Sequence, residues 1–195
     1  MTRTAEISRS TAETDIHLAL TLDGSGAGQR STGVGFFDHM LDAVARHGGL
    51  DLDVRVNGDL QTGVHHTVED TGIVLGRALD EALGERTGIV RFGHAVVPMD
   101  ESRASAAIDL SGRPFLLLEG GLPDDAIAGF ETGLTEEFLR AVASAAKLTL
   151  HVRIESAGNP HHVVESVFKA FARSLRAAVA VDPAERGIPS TKGLL

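Results

Sequence analysis

The pattern His-His-x-x-Glu occurs twice in this chain, at residues 65–69 and 161–165, and the sequence around the two copies repeats with it. HHTVEDTGIVLGRALDEALG, from His65, aligns without gaps with HHVVESVFKAFARSLRAAVA, from His161. Leu75 falls opposite Phe171, Leu79 opposite Leu175 and Ala82 opposite Ala178, at amphipathic-helix spacing. Upstream, LDLDVRV from Leu50 matches LTLHVRI from Leu148, and both alternate like half-buried strands. Further upstream, DHMLDAVARHG matches EEFLRAVASAA, a second helical pattern. Each half therefore reads helix, strand, loop, HHxxE helix. A unit of that kind cannot cover its own apolar face, whereas two can cover each other. The predicted fold is α+β and internally duplicated, with two similar halves that each back a small sheet with helices. The expected division is 1–88 and 89–195.

The repeat also organises the candidate ligands. On a helix, i and i+4 share a face, so His65 stacks with Glu69 and His161 with Glu165. His66 and His162 point about 100° away. One helical turn thus offers imidazoles in two directions, which suits two ions, or one ion completed from elsewhere. His39 in the first half falls opposite Glu137 in the second, and either side chain binds a hard or borderline metal. A single HH pair is as often structural as metal-binding; two copies in matching contexts favour metal. Glu137 read alone is a solvated charge at a helix start, where the dipole favours carboxylates.

Composition removes several function classes. With no Trp, no Tyr and eight Phe, the chain lacks the aromatics for stacked-base recognition. A net charge of −9 without a basic stripe disfavours nucleic acid and membrane surfaces. The absence of cysteine excludes disulfides, thiolate metal sites and cysteine nucleophiles. No apolar h-region opens the sequence and no run is long enough to span a bilayer, so a cytoplasmic enzyme is expected. Residues 5–22 read as two strands. VRFGHAVVPMDESRASAAIDLSGRPFLLLEG reads as three strands, with turns at Asp100-Glu101 and at 111–114. Residues 120–133 read as a loop, and the tail, with Pro183 and Pro189, cannot be one helix.

The motifs FFDHML, GDLxxxxHHTVEDTG, RFGxAxxPMDE, DLSGRP, NPHHxxE with FKAFARSLR, and PSTKG occur in order from about Arg9 to Leu195. Together they resemble imidazoleglycerol-phosphate dehydratase. The resemblance implies a hydro-lyase of histidine biosynthesis that converts imidazole glycerol phosphate into imidazole acetol phosphate. It implies two Mn²⁺ per active site, although Fe²⁺, Co²⁺, Ni²⁺ or Zn²⁺ also suit nitrogen and carboxylate ligands. It further implies a homo-oligomer of 24 subunits with active sites between them. Carried over by position, one ion takes His39, His66, Glu69 and His161, and the other takes His65, His162, Glu165 and Glu137. The substrate's imidazole, deprotonated between the metals, would expel the neighbouring hydroxyl. Glu13 is the first candidate for acid–base work and also for substrate contact. Asp100 and Glu165 complete the catalytic carboxylates. Arg91, Arg113, Lys169, Ser190, Thr191 and Lys192 match substrate and phosphate positions; each read singly is an ordinary surface residue. Two departures stand out. Relatives often carry histidine at Glu137, and an acidic residue at Gly63. These two positions support the alternative of a non-catalytic or altered-specificity metal-binding homologue on the same scaffold. A ferritin-like di-iron bundle is disfavoured by the strand patterns and by HxxE in place of ExxH.

Overall fold

The computed structural model describes residues 3–195. A hairpin opens the chain, β1 (Thr4–Ser10) and β2 (Thr14–Thr21). A two-residue strand β3 (Arg30–Ser31) leads to α1 (Gly35–Gly48), β4 (Asp51–Gly58) and α2 (His65–Leu83). The order then recurs. The hairpin β5 (Phe92–Met99) and β6 (Ser102–Asp109) precedes β7 (Phe115–Glu119). The second helical segments are α3 (Leu134–Ala145), β10 (Thr149–Ser156) and α4 (Pro160–Val179). The stretch expected to be a plain loop contains a minimal hairpin, β8 (Ala126–Ile127) and β9 (Phe130–Glu131). Its anchor is Phe130, which is fully buried and gives an otherwise polar segment a foothold in the core.

The sheets repeat as well. One runs β1-β2-β4-β3 and the other β5-β6-β10-β7. In each, the first two pairings are antiparallel and the last is parallel. Alternation explains the faces: in β2, Thr14, Ile16, Leu18 and Leu20 are buried, while the residues between them are more exposed. The helices form the layer between the sheets. Helix α2 lies on β1 and β2, and α4 lies on β5 and β6. The halves are joined crosswise, α1 against α4 and α2 against α3. Residues of both sheets and all four helices make one continuous apolar cluster. Phe37, Phe130, Phe138 and Phe168 sit in its middle, with Phe37 stacked on Phe130 and Phe138 stacked on Phe168.

Local chemistry fixes the helix ends that carry the paired histidines. At α4, the Asn159 side chain accepts the His161 backbone N–H at 2.9 Å, and Pro160 occupies the first turn. At α2 there is no such cap, and the chain enters through Gly63 at φ 125°. A side chain at that φ is strained, so this loop favours glycine.

The α2/α3 crossing is close because α2 presents glycine to it. A Cβ on Gly76 would lie 2.6 Å from the Ala145 Cβ and 2.7 Å from the Val142 carbonyl oxygen. Replacing glycine by alanine inside a helix gains about 1 kcal/mol in propensity. Overpacking a dense core costs about 1–3 kcal/mol, and here backbone atoms must move. Gly76→Ala is therefore expected to lower the urea midpoint, with an unchanged slope. A raised midpoint would show that the two helices separate freely.

Candidate metal centre

The crosswise packing decides which residues meet. His39 is on α1, which packs on α4, so it faces the second HHxxE segment and not the first. Its Nε2 lies 3.4 Å from Glu165 Oε2, and His161 Nε2 lies 3.0 Å from the same oxygen. One ligand atom from each of His39, His161 and Glu165 falls within 4.8 Å of the other two. The His161 ring meets Phe36 edge-on at 5.0 Å between centroids, which limits its rotation. The other oxygen of Glu165 is 2.6 Å from Lys169 Nζ, one turn further along α4. Burial alone would raise the Glu165 carboxyl. The hydrogen bond and charge of Lys169, with His161 and His39, outweigh it and hold the group below its ordinary value. This is a partly exposed pair of imidazoles over a buried, ionised carboxylate.

The first HHxxE segment builds the counterpart. His65 Nε2 is 3.3 Å from Glu69 Oε2. Glu137, the partner of His39 in the repeat, is on α3 and lines the same hollow as Glu69, beside Arg77 and Arg140. Within one chain His39, His161 and Glu165 converge, whereas in the first half His65 pairs with Glu69 and Glu137 shares only the hollow that Glu69 lines. The sets carried over by position had Glu69 with His39 and Glu165 with Glu137. Within one chain the structure brings His39 to Glu165 and Glu137 to the hollow lined by Glu69, because α1 crosses α4 and α3 crosses α2.

The second histidine of each pair goes elsewhere, as helical geometry requires. His66 Nδ1 is 3.0 Å from Asp59, and its Nε2 is 3.7 Å from Glu13 at the tip of the first hairpin. The hydrogen bond to Asp59 raises His66 above the ordinary imidazole value. His162 Nδ1 is 3.1 Å from Glu101 and 3.9 Å from Asp100, at the tip of the second hairpin. Glu101 is drawn down to about 2, first by the Asn159 N–H it accepts at 2.6 Å and also by His162. Asp100, Glu101 and His162 form a second group with metal-ligand spacing. Asp59 and Glu101 escape sequence reasoning as partners of the histidines. They lie in the GDL and PMDE motifs, seven residues before His66 and 61 before His162. Only the fold brings the second pair together.

The basic residues separate into two places. Arg91, Arg113, Ser190, Thr191 and Lys192 line one hollow of about 490 Å³. Arg91 holds its shape, donating to Asp109 and to the Pro189 carbonyl oxygen, both at 2.7 Å. Arg113 is largely exposed. Lys169 is not part of this hollow; it is engaged by Glu165 and lies near the Met99 sulfur. The donors of these groups are imidazole nitrogen and carboxylate oxygen without sulfur, a chemistry that fits a borderline divalent ion such as Mn²⁺.

Residues 32–175 match the family model described as imidazoleglycerol-phosphate dehydratase. The imidazoleglycerol-phosphate dehydratase of Moorella thermoacetica is 54% identical over 195 residues, covering all of both chains. That of Lacticaseibacillus casei is 53% identical over 193 residues, 99% of this chain and all of the relative. Among solved structures, imidazoleglycerol-phosphate dehydratase from Staphylococcus aureus superposes with TM-score 0.83 at 37% identity, over 91% of this chain and 99% of that one. The Pyrococcus furiosus enzyme, in complex with (S)-C348, gives TM-score 0.83 at 35% identity, over 97% of this chain and all of that one. With the family match, full-length relatives and fold in agreement, the chain belongs to the imidazoleglycerol-phosphate dehydratase family.

Proposed function

We propose that this enzyme dehydrates imidazole glycerol phosphate to imidazole acetol phosphate, with two divalent ions, Mn²⁺ first among them. The observation that carries the reading is the His39–His161–Glu165 group, with the His65–Glu69 pair and Glu137 at the matching place of the other half. Each group would hold one ion, and bound metals would supply Lewis acidity toward the substrate ring. His66 and His162 turn away from these groups in their own chain. With Nδ1 held by Asp59 and by Glu101, these outward-facing imidazoles would complete ligand sets in neighbouring copies, as a 24-subunit assembly with sites between subunits requires. Turnover by Mn²⁺-reconstituted protein on imidazole glycerol phosphate tests the reading. Metal-loaded protein without turnover would leave the non-catalytic homologue standing.

The chain's own residues supply the rest. The hollow of Arg91, Arg113 and the 190–192 tail is small and lined by Arg91, Arg113 and Lys192, so it takes the substrate phosphate. Glu13 is the acid–base group, since its exposed carboxylate contacts His66 loosely and has room to exchange a proton with bound substrate. Asp100 stands at the tip of the other hairpin as a polar substrate contact. Lys169, held by Glu165, lends its charge at the metal group. Nothing in the chemistry calls for nucleic acid or a membrane; no helix among the described residues is long and apolar enough to cross one. A cytoplasmic location fits such an enzyme.

His161→Ala and His162→Ala are both expected to lose bound Mn²⁺ and most turnover, although only His161 touches Glu165 in its own chain. Metal content by elemental analysis checks this, and full loading in His162→Ala would show that one chain's group is sufficient. Deleting residues 188–195 should raise KM strongly and leave metal content unchanged; an unaltered KM would remove the tail from the phosphate site. For Glu137, the carboxylate lowers the net positive charge of any ion it holds. Glu137→His should keep the fold and activity, whereas Glu137→Ala should lose about half of the bound metal. Full metal in the alanine variant would return Glu137 to an ordinary helix-start charge.

A further inference from the structure

Two carboxylates are buried among the described residues, Glu165 and Asp70. Glu165 belongs to the metal group, while Asp70 has no role in the site described so far. It lies on α2, four residues after His66 and so on the same face of the helix. Its Oδ2 accepts hydrogen bonds from Arg9 Nη1 and from Thr14 Oγ1, each at 2.5 Å. Arg9 is near the end of β1 and Thr14 opens β2, so one oxygen of Asp70 ties both ends of the hairpin turn to the helix. Glu13 is in that turn. The turn itself is ordered by Thr11, whose hydroxyl accepts the N–H groups of Glu13 and Thr14 at 3.2 and 3.1 Å. The Glu13 carbonyl oxygen accepts the Asp59 N–H at 3.0 Å. The result is a closed circuit from helix to Asp70, to the hairpin, to Glu13 and back to His66 on the same helix.

The second half shows what this circuit does. There, Ser102 opens β6 as Thr14 opens β2, and Glu101 precedes it as Glu13 precedes Thr14. The counterpart of Asp70 in the repeat is Ser166, whose hydroxyl donates to its own helix at Val163. Ser166 thus makes no hydrogen bond to the tip of the second hairpin, which α4 meets further along through Ser174 and the Ala106 carbonyl oxygen. That tip is held by Glu101, which accepts the Asn159 N–H and contacts His162, and by Ser102, whose hydroxyl accepts the Gly158 N–H. The Glu101 carboxylate is thereby used up as an anchor. In the first half the anchoring is transferred to the buried Asp70, and the Glu13 carboxylate remains free at the tip.

We propose that Asp70 is a positioning residue: through Arg9 and Thr14 it fixes the 10–14 turn on α2 and so aims the Glu13 carboxylate beside His66. This rests on the reading of Glu13 as the acid–base group. A displacement of about 1 Å at a reacting group lowers a rate by ~10²-fold. In the Mn²⁺-loaded full-length enzyme, Asp70→Asn is therefore expected to lower kcat by about that factor, with KM and metal content unchanged. Glu13→Gln should also lower kcat, and adding Asp70→Asn to it should produce little further loss, because the hairpin contacts of Asp70 act through Glu13. A wild-type kcat in Asp70→Asn beside an impaired Glu13→Gln overturns the positioning role alone, as does multiplication of the two losses. A wild-type kcat in Glu13→Gln overturns the reading of Glu13 and this inference with it. If Asp70→Asn fails to fold, Thr14→Val takes its place: it removes one donor and keeps the Arg9 ion pair. A reduced kcat at unchanged KM and metal content supports the role there, and an unchanged kcat overturns it.

Discussion

The contact on which the rest depends is the crosswise packing of helices from different halves. Each HHxxE helix lies on the sheet of its own half, yet its ligand-bearing turn is completed by the other half's shorter helix. Helix α1 brings His39 to α4, and α3 brings Glu137 to α2. Interior packing is dense and leaves such helices little freedom to slide. The metal groups therefore inherit the rigidity of the core. Phe138, edge-on to Phe37 and stacked on Phe168, helps to fix the spacing between the helices that the ligands use.

Charge is handled differently at the two groups. Glu165 is buried, and a buried carboxylate without a partner is costly. Lys169 and two imidazoles offset that, so the group is ionised and preorganised. Glu69 is far more exposed and has His65 as its close partner. The hairpin tips follow a second pattern, each placing a carboxylate against the outward-facing histidine. One such carboxylate is bound to the backbone and the other is free, a division that the helix beneath makes possible.

Much of this was legible in the sequence because the duplication doubles every signal. Helix, strand and hairpin positions follow from apolar periodicity at residues such as Leu75 and Phe171, or Val54 and Val152. The separation of His65 from His66 follows from helix geometry alone. The meeting of His39 with Glu165 inside one chain did not, since it depends on which helix crosses which, and a repeat is silent about whether its copies pair in parallel or crosswise. Asp59, Glu101 and Asp70 were hidden for a related reason. Their partners His66, His162 and Arg9 are defined by loop and hairpin geometry, not by helical spacing. The small hairpin around Phe130 was hidden by its polar neighbours.

The reciprocity of the helix contacts carries a consequence for how such a chain came to exist. Helix α1 meets the second half's long helix just as α3 meets the first half's. That is the relation between two identical bodies about a twofold axis, where a patch on one meets its complement on the other and the reverse contact follows. A single half, as a separate polypeptide, would leave its short helix and its ligands without their complements, and would find both in a second copy of itself. The molecule thus has the geometry of a symmetric dimer whose two copies have been joined end to end. Joining freed the copies to differ, and Gly76 in one with Ala172 in the other, or His39 with Glu137, are the marks of that freedom.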